Sequence, residues 1–151
     1  MARGIKEEEV TKRILKWLVE TGWEIICFDF PQSGTGRQLH PNIRTNQTDG
    51  VIIPDIVAIK NGTVLDFENK DRFVLEDFEK ILMLRTSNNY SDDWERLLQG
   101  KTHNHIYYGA GMPYNLNNYK KAESSSSMVD FIVYLKEDGS FQITDCVGGI
   151  F

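Results

Sequence analysis

Residues 51–70 read VIIPDIVAIKNGTVLDFENK, and this stretch decides the fold. Asn61-Gly62 stands between two apolar, β-branched runs. An Asn-Gly pair in that setting is the strongest short-range hairpin signal, because a type I′ turn needs positive φ at both central residues. The pattern predicts a strand over 51–60 and a return strand over 63–70. Side chains two apart on a strand share a face. Asp66, Glu68 and Lys70 are therefore expected on one face, and Leu65, Phe67 and Asn69 on the other. Asp55 lies six residues before the turn and Glu68 six after it, so the hairpin folds the two acids together.

Upstream, residues 5–21 carry Val10, Ile14, Trp17 and Leu18 at the spacing of one buried helical stripe, and Gly22 is a natural stop. Residues 23–30 (WEIICFDF) read as a strand closed by Pro31. Downstream, residues 73–86 follow helical spacing through Val74, Phe78, Ile81, Leu82 and Arg85. Ser91, followed by Asp92 and Asp93, resembles a helix cap opening a short helix to Leu98. Residues 106–109 form a short strand, and 114–127 a polar helix or loop. Residues 129–136 and 141–147 form a second hairpin across Asp138-Gly139. The order is helix, strand, loop, two strands, one or two helices, strand, hairpin. It predicts an α/β chain whose central mixed sheet is flanked by helices, with residues 1–151 forming one domain.

Composition narrows the classes. Of 151 residues, 40% are apolar and 26% charged, which excludes global disorder. No stretch approaches the ~20 apolar residues of a membrane span, and the opening MARGIKEEE has no apolar signal region, so a cytoplasmic protein without a membrane partner is expected. Cys27 and Cys146 sit in apolar runs and are expected as reduced core thiols. The net charge of −5 argues against a broad basic surface. Any nucleic-acid face would be a patch, with divalent metal neutralising part of the acid.

Asp55 and Glu68, brought side by side, repel when ionised and need a cation or a proton between them. Hard oxygen ligands select Mg²⁺ or Mn²⁺ over Zn²⁺. Pro54-Asp55, twelve residues, then Glu68-Asn69-Lys70 resembles the PD-(D/E)xK nuclease superfamily, the restriction-endonuclease-like fold. The element order from residue 5 to about 110 is similar to that superfamily's αβββαβ core, which here carries an added C-terminal β-hairpin. The resemblance implies a Mg²⁺-dependent endonuclease acting on DNA, with Mn²⁺ able to substitute. It implies Asp55, Glu68 and Lys70 as catalytic residues, and Asp55, Glu68 and the Asn69 backbone carbonyl as metal ligands. Many members add an acid from the first helix. Glu7, Glu8 and Glu9 are available, and Glu7, one turn before Val10, lies on the sheet-facing side.

The resemblance points first to a restriction-type enzyme, then to a Holliday-junction-resolvase-like or repair nuclease. A homodimer or a partner nuclease subunit would supply the second centre for a double-strand cut. Two rivals are a non-cleaving DNA-binding subunit of a larger complex and an α/β protein whose acids are structural. In the latter, Glu68 and Lys70 would form a surface ion pair worth ~0–1 kcal/mol. Residues 31–50 are polar and rich in Gly and Pro. Their Arg37, His40, Asn42, Arg44, Asn46 and Gln47 are side chains suited to phosphates or base edges, and Arg37, His40 and Arg44 are the expected DNA contacts. His103-Asn104-His105 spells another nuclease family's name by coincidence, and the glycines of 33–36 lack the lysine of a phosphate loop.

Overall fold

The computed structural model describes residues 4–30, 36–42 and 51–151. The elements run α1 (Glu7–Glu20), β1 (Glu24–Phe28), β2 (Ile56–Lys60), β3 (Thr63–Asn69), α2 (Leu75–Thr86), α3 (Ser91–Leu98), β4 (His105–Pro113), α4 (Leu116–Ser124), a 3₁₀ turn (Ser126–Met128), β5 (Phe131–Leu135) and β6 (Phe141–Asp145). The six strands form one mixed α/β sheet in sequence order. The β3/β4 and β4/β5 pairs are parallel, and their crossovers carry α2 with α3 and then α4; the other pairs are antiparallel.

Each face of the sheet has its own core. On one face, Val10, Ile14 and Leu18 of α1 pack on Ile56, Ala58, Leu65 and Phe67, with Phe131 and Val133 beyond. On the other, Phe78, Ile81 and Leu84 of α2 and Trp94 and Leu98 of α3 cover Val57, Ile59, Val64 and Met112. β2 is thus covered on both sides, which is why its sequence is apolar throughout instead of alternating. The Arg85 Nε to Asp130 Oδ1 pair, at 3.1 Å, fastens the end of α2 beside the start of β5.

Asn61 (φ 50°) and Gly62 (φ 80°) make the expected turn. The first hairpin strand is shorter than 51–60. Pro54 has no N–H for a ladder, and regular pairing starts at Ile56, while Ile52 bridges only to Leu39. β4 is longer than 106–109. Its Gly109 and Gly111 weaken the local strand signal, but the neighbours demand them. A Cβ at Gly109 would collide with the Phe131 ring, and one at Gly111 with Asn69 Oδ1 and Ile14 Cδ1. Ser91 is the first residue of α3 and not its cap. Leu82 faces outward, and Leu84 takes the buried place. Cys27 is a buried thiol, but Cys146 lies past β6 and is exposed; both are free. Among the described residues, no helix is long and apolar enough to cross a membrane.

Gly109→Ala should lower stability by about 1–3 kcal/mol in urea unfolding, the usual cost of overpacking. Gly4→Ala, with open space around its Cβ, should change nothing measurable. Equal stability of both variants would contradict the β4–β5 packing.

Candidate metal and catalytic site

Register places the acids. Ile56 pairs with Phe67, so Asp55, one residue before β2, stands at the open end of the β2–β3 hairpin, the end at which Glu68 also lies. Three backbone hydrogen bonds fix Asp55 there. Its N–H donates to Phe67 O (3.1 Å), its carbonyl accepts from Asp29 N–H (2.9 Å), and its Oδ2 accepts from Asn69 N–H (2.6 Å).

Asp66 and Glu68 face α2, as the alternation requires. Glu68 Oε1 lies 3.2 Å from Lys80 Nζ of α2. Lys70 departs from the expected pattern. β3 ends at Asn69, and Lys70 Nζ pairs with Glu7 Oε1 of α1 at 3.2 Å. Thr11, one turn after Glu7, accepts a 3.1 Å hydrogen bond from Asn69 Nδ2. One face of α1 therefore holds both the Asn69 side chain and the Lys70 ammonium. Of the three N-terminal acids, Glu7 is the one at the site, while Glu8 and Glu9 pair with Lys12 and Arg13 along the helix.

The electrostatics follow from this crowding. Burial pushes the Asp55 carboxyl up to about 8, and the neighbouring Glu68 charge adds to the rise against the lowering effect of the Asn69 N–H. Glu68 is raised by burial, with Lys80 opposing the rise and Asp77 adding to it. Asp66 is held well above the ordinary range by burial, then by Glu68 and Asp55. Burial disfavours the Lys70 charge, but Asp77 and Glu7 outweigh it and raise its pKa. Asp55 therefore lies within reach of the Glu68 charge, which disfavours its ionised form.

The pattern Asp-x-x-Lys in α2 was not a candidate from sequence. Asp77 reads as an ordinary first-turn acid and Lys80 as a solvated helix lysine, and only the packing of α2 over β3 turns both toward Glu68. Asp66 Oδ2, Asp77 Oδ2 and Asn69 Oδ1 are buried with no hydrogen-bond partner among the described residues. Also among the described residues, no group of three or more His, Cys, Asp or Glu side chains is arranged to hold a metal ion. The expected donors are two carboxylates and a peptide carbonyl, all hard oxygens. Asp55 and Glu68 each have a partner, Asn69 N–H and Lys80 Nζ, and the unpartnered oxygens of Asp66 and Asp77 beside them add to an acidic, hard-oxygen environment that fits a hard divalent cation.

The remaining candidates lie elsewhere. Arg37 and His40 line a cavity of about 530 Å³ against the β1 edge, with Glu24, Asp93, Arg96 and Lys101, and it includes none of Asp55, Glu68 and Lys70. Asn42 braces α3, since its Nδ2 donates to Ser91 Oγ (3.0 Å) and its Oδ1 accepts from Asp92 N–H (3.2 Å). Arg44, Asn46, Gln47 and most of the glycine-rich 33–36 segment lie outside the described residues. His105 pairs in register with Thr63, at the far end of β3 from Glu68, so the His-Asn-His run takes no part in the site.

A carboxyl whose pKa is raised by folding contributes stability that is complete below its unfolded value and is lost as pH rises through its folded value. For Asp55 that window runs from about 4 to about 8. In chelator, Asp55→Asn should therefore gain stability over wild type between pH 5 and pH 8.5 in denaturant titrations, by up to about 4 kcal/mol. A difference independent of pH would contradict the burial and repulsion at Asp55.

The chain matches no protein-family model, no curated protein and no solved structure, so its function rests on the chemistry of these residues.

Proposed function

We propose that this chain is a Mg²⁺-dependent endonuclease that hydrolyses DNA phosphodiester bonds, of the restriction type. The reading is carried by one observation: the Asp55 carboxylate is held on the N–H of Asn69, which lies between Glu68 and Lys70, at the open end of the β2–β3 hairpin. The residues fit a cation held by Asp55, Glu68 and the Asn69 backbone carbonyl, with Mn²⁺ able to replace Mg²⁺. The chemistry such a cation supplies is Lewis-acid polarisation of the scissile phosphate and of a water molecule.

The protein's own groups do the rest. Asn69 N–H orients the Asp55 carboxylate. The Thr11–Asn69 bond sets where the chain leaves β3, and so where Lys70 begins. Asp77 and then Glu7, which pairs with Lys70 directly, hold its ammonium in the charged state. Lys70 is then placed to orient the attacking water and to offset the negative charge that grows on the phosphoryl oxygens as the water oxygen bonds to phosphorus and the leaving oxygen departs. Glu7 is accordingly read as a support for Lys70 in place of a metal ligand. Arg37 and His40, which flank the sheet edge, are candidate DNA contacts, together with Arg44, which lies outside the described residues. One chain carries one centre, so a double-strand cut would need a homodimer, a partner nuclease subunit or a second nick. Two free cysteines support a reducing, cytoplasmic setting.

Duplex, junction and single-stranded DNA incubated with Mg²⁺, and in parallel with chelator, test the reading. Cleavage with metal alone is expected, and the substrate cut separates the restriction-type from the resolvase-like form. Lys70→Ala should lose at least ~10²-fold in cleavage rate and keep its DNA affinity, since the ammonium acts mainly on charge developed in the transition state. Binding without cleavage of any substrate would favour the non-cleaving subunit, and full activity in Lys70→Ala would sink the assignment. Arg37→Ala should weaken binding and reduce the salt slope by about 1 if it neutralises one phosphate.

A further inference from the structure

Glu68 carries more than its share of the site's electrostatic problem. Its side chain is only 12% exposed, and a carboxylate that buried needs a positive partner. Lys70, next but one along the chain, is paired with Glu7. The partner comes instead from α2: Lys80 donates from Nζ to Glu68 Oε1 at 3.2 Å. We propose that Lys80 is an internal counter-ion that stands in the electrostatic place of the divalent cation, so that metal reaches Glu68 only by displacing it. The proposal rests on the metal-centre reading above and adds a threshold to it.

Two features make displacement feasible. The Lys80 side chain is 35% exposed, so its ammonium has a route away from Glu68. Lysine is also a flexible stem ending in a point charge, and it releases one carboxylate for another without the fixed fork of an arginine. A second seat is present one turn earlier on the same helix. Asp77 Oδ2 is buried with no hydrogen-bond partner among the described residues, and the i, i+3 spacing of Asp77 and Lys80 lets the two side chains meet. Asp77 is thus a positioning residue. In the metal-free state Lys80 sits on Glu68 and leaves an Asp77 oxygen bare; with a cation between Asp55 and Glu68, Lys80 moves to Asp77 and satisfies it. Metal binding then depends on the difference between two seats for one ammonium, and Glu68 has a positive partner in both states.

The test is Mn²⁺ binding to the whole chain without nucleic acid, followed by electron paramagnetic resonance or calorimetry, with folding of each variant checked by thermal melting. Lys80→Gln should bind Mn²⁺ about tenfold more tightly than wild type, a difference of about 1.4 kcal/mol. Lys80→Arg, which keeps the charge, should not show the gain. Asp77→Asn, which removes the second seat, should bind more weakly than wild type. Arg72→Gln removes one positive charge close to Asp77 without touching Glu68, and should stay within about twofold of wild type by the small effect of exposed charges. Equal affinity in wild type and Lys80→Gln, with binding lost in Asp55→Asn, would overturn the counter-ion role and leave the metal centre standing. No binding in any of these proteins would overturn both.

Discussion

The hydrogen bond from Asn69 N–H to Asp55 Oδ2 joins the two ends of the first hairpin, and the arrangement of the site depends on it. Pro54 stops the ladder, so Asp55 sits where β2 has not yet begun and its side chain is free to turn back on the neighbouring strand. There it accepts a backbone N–H that would otherwise be short of a partner at the strand end. The same bond holds the Asp55 carboxyl on the residue that follows Glu68, within reach of the Glu68 charge. A buried pair of acids is costly unless something positive joins them, and the surrounding structure supplies cations from two directions.

Those directions are the two layers of the fold. From one face, α1 presents Glu7 and Thr11 one turn apart, so a single helix face fixes both the Asn69 amide and the Lys70 ammonium. From the other, α2 brings Lys80 against Glu68, and its far end is anchored by the Arg85–Asp130 pair. Gly111 belongs to the same arrangement. Its carbonyl accepts the Lys70 N–H at 3.0 Å, and its missing side chain leaves room for Asn69 and Ile14. Packing, register and charge at this corner of the sheet are therefore one constraint.

Much of this is written locally in the chain. The Asn61-Gly62 turn sets the register, the register brings Asp55 and Glu68 to the same open end of the hairpin, and the stripe of Val10, Ile14 and Leu18 sets the face of α1. These signals depend on short-range periodicity and turn chemistry, which a sequence displays directly. What depends on distant packing was not legible. The length of β4 is decided by the Phe131 ring and Asn69, which exclude side chains at Gly109 and Gly111. The turn of Lys70 toward α1 follows from where β3 stops pairing. Asp77 and Lys80 look like ordinary surface charges until α2 is docked. Asn42, plausible as a base-reading amide, spends its side chain on α3.

The most direct test is a crystal of the protein soaked in Mn²⁺ and measured at the manganese absorption edge. The account predicts an anomalous peak between the carboxylates of Asp55 and Glu68, close enough to ligate both at roughly 2 Å, as expected for a hard divalent cation on oxygen. A fully soaked crystal with no peak there, and Glu68 still paired to Lys80, would contradict it.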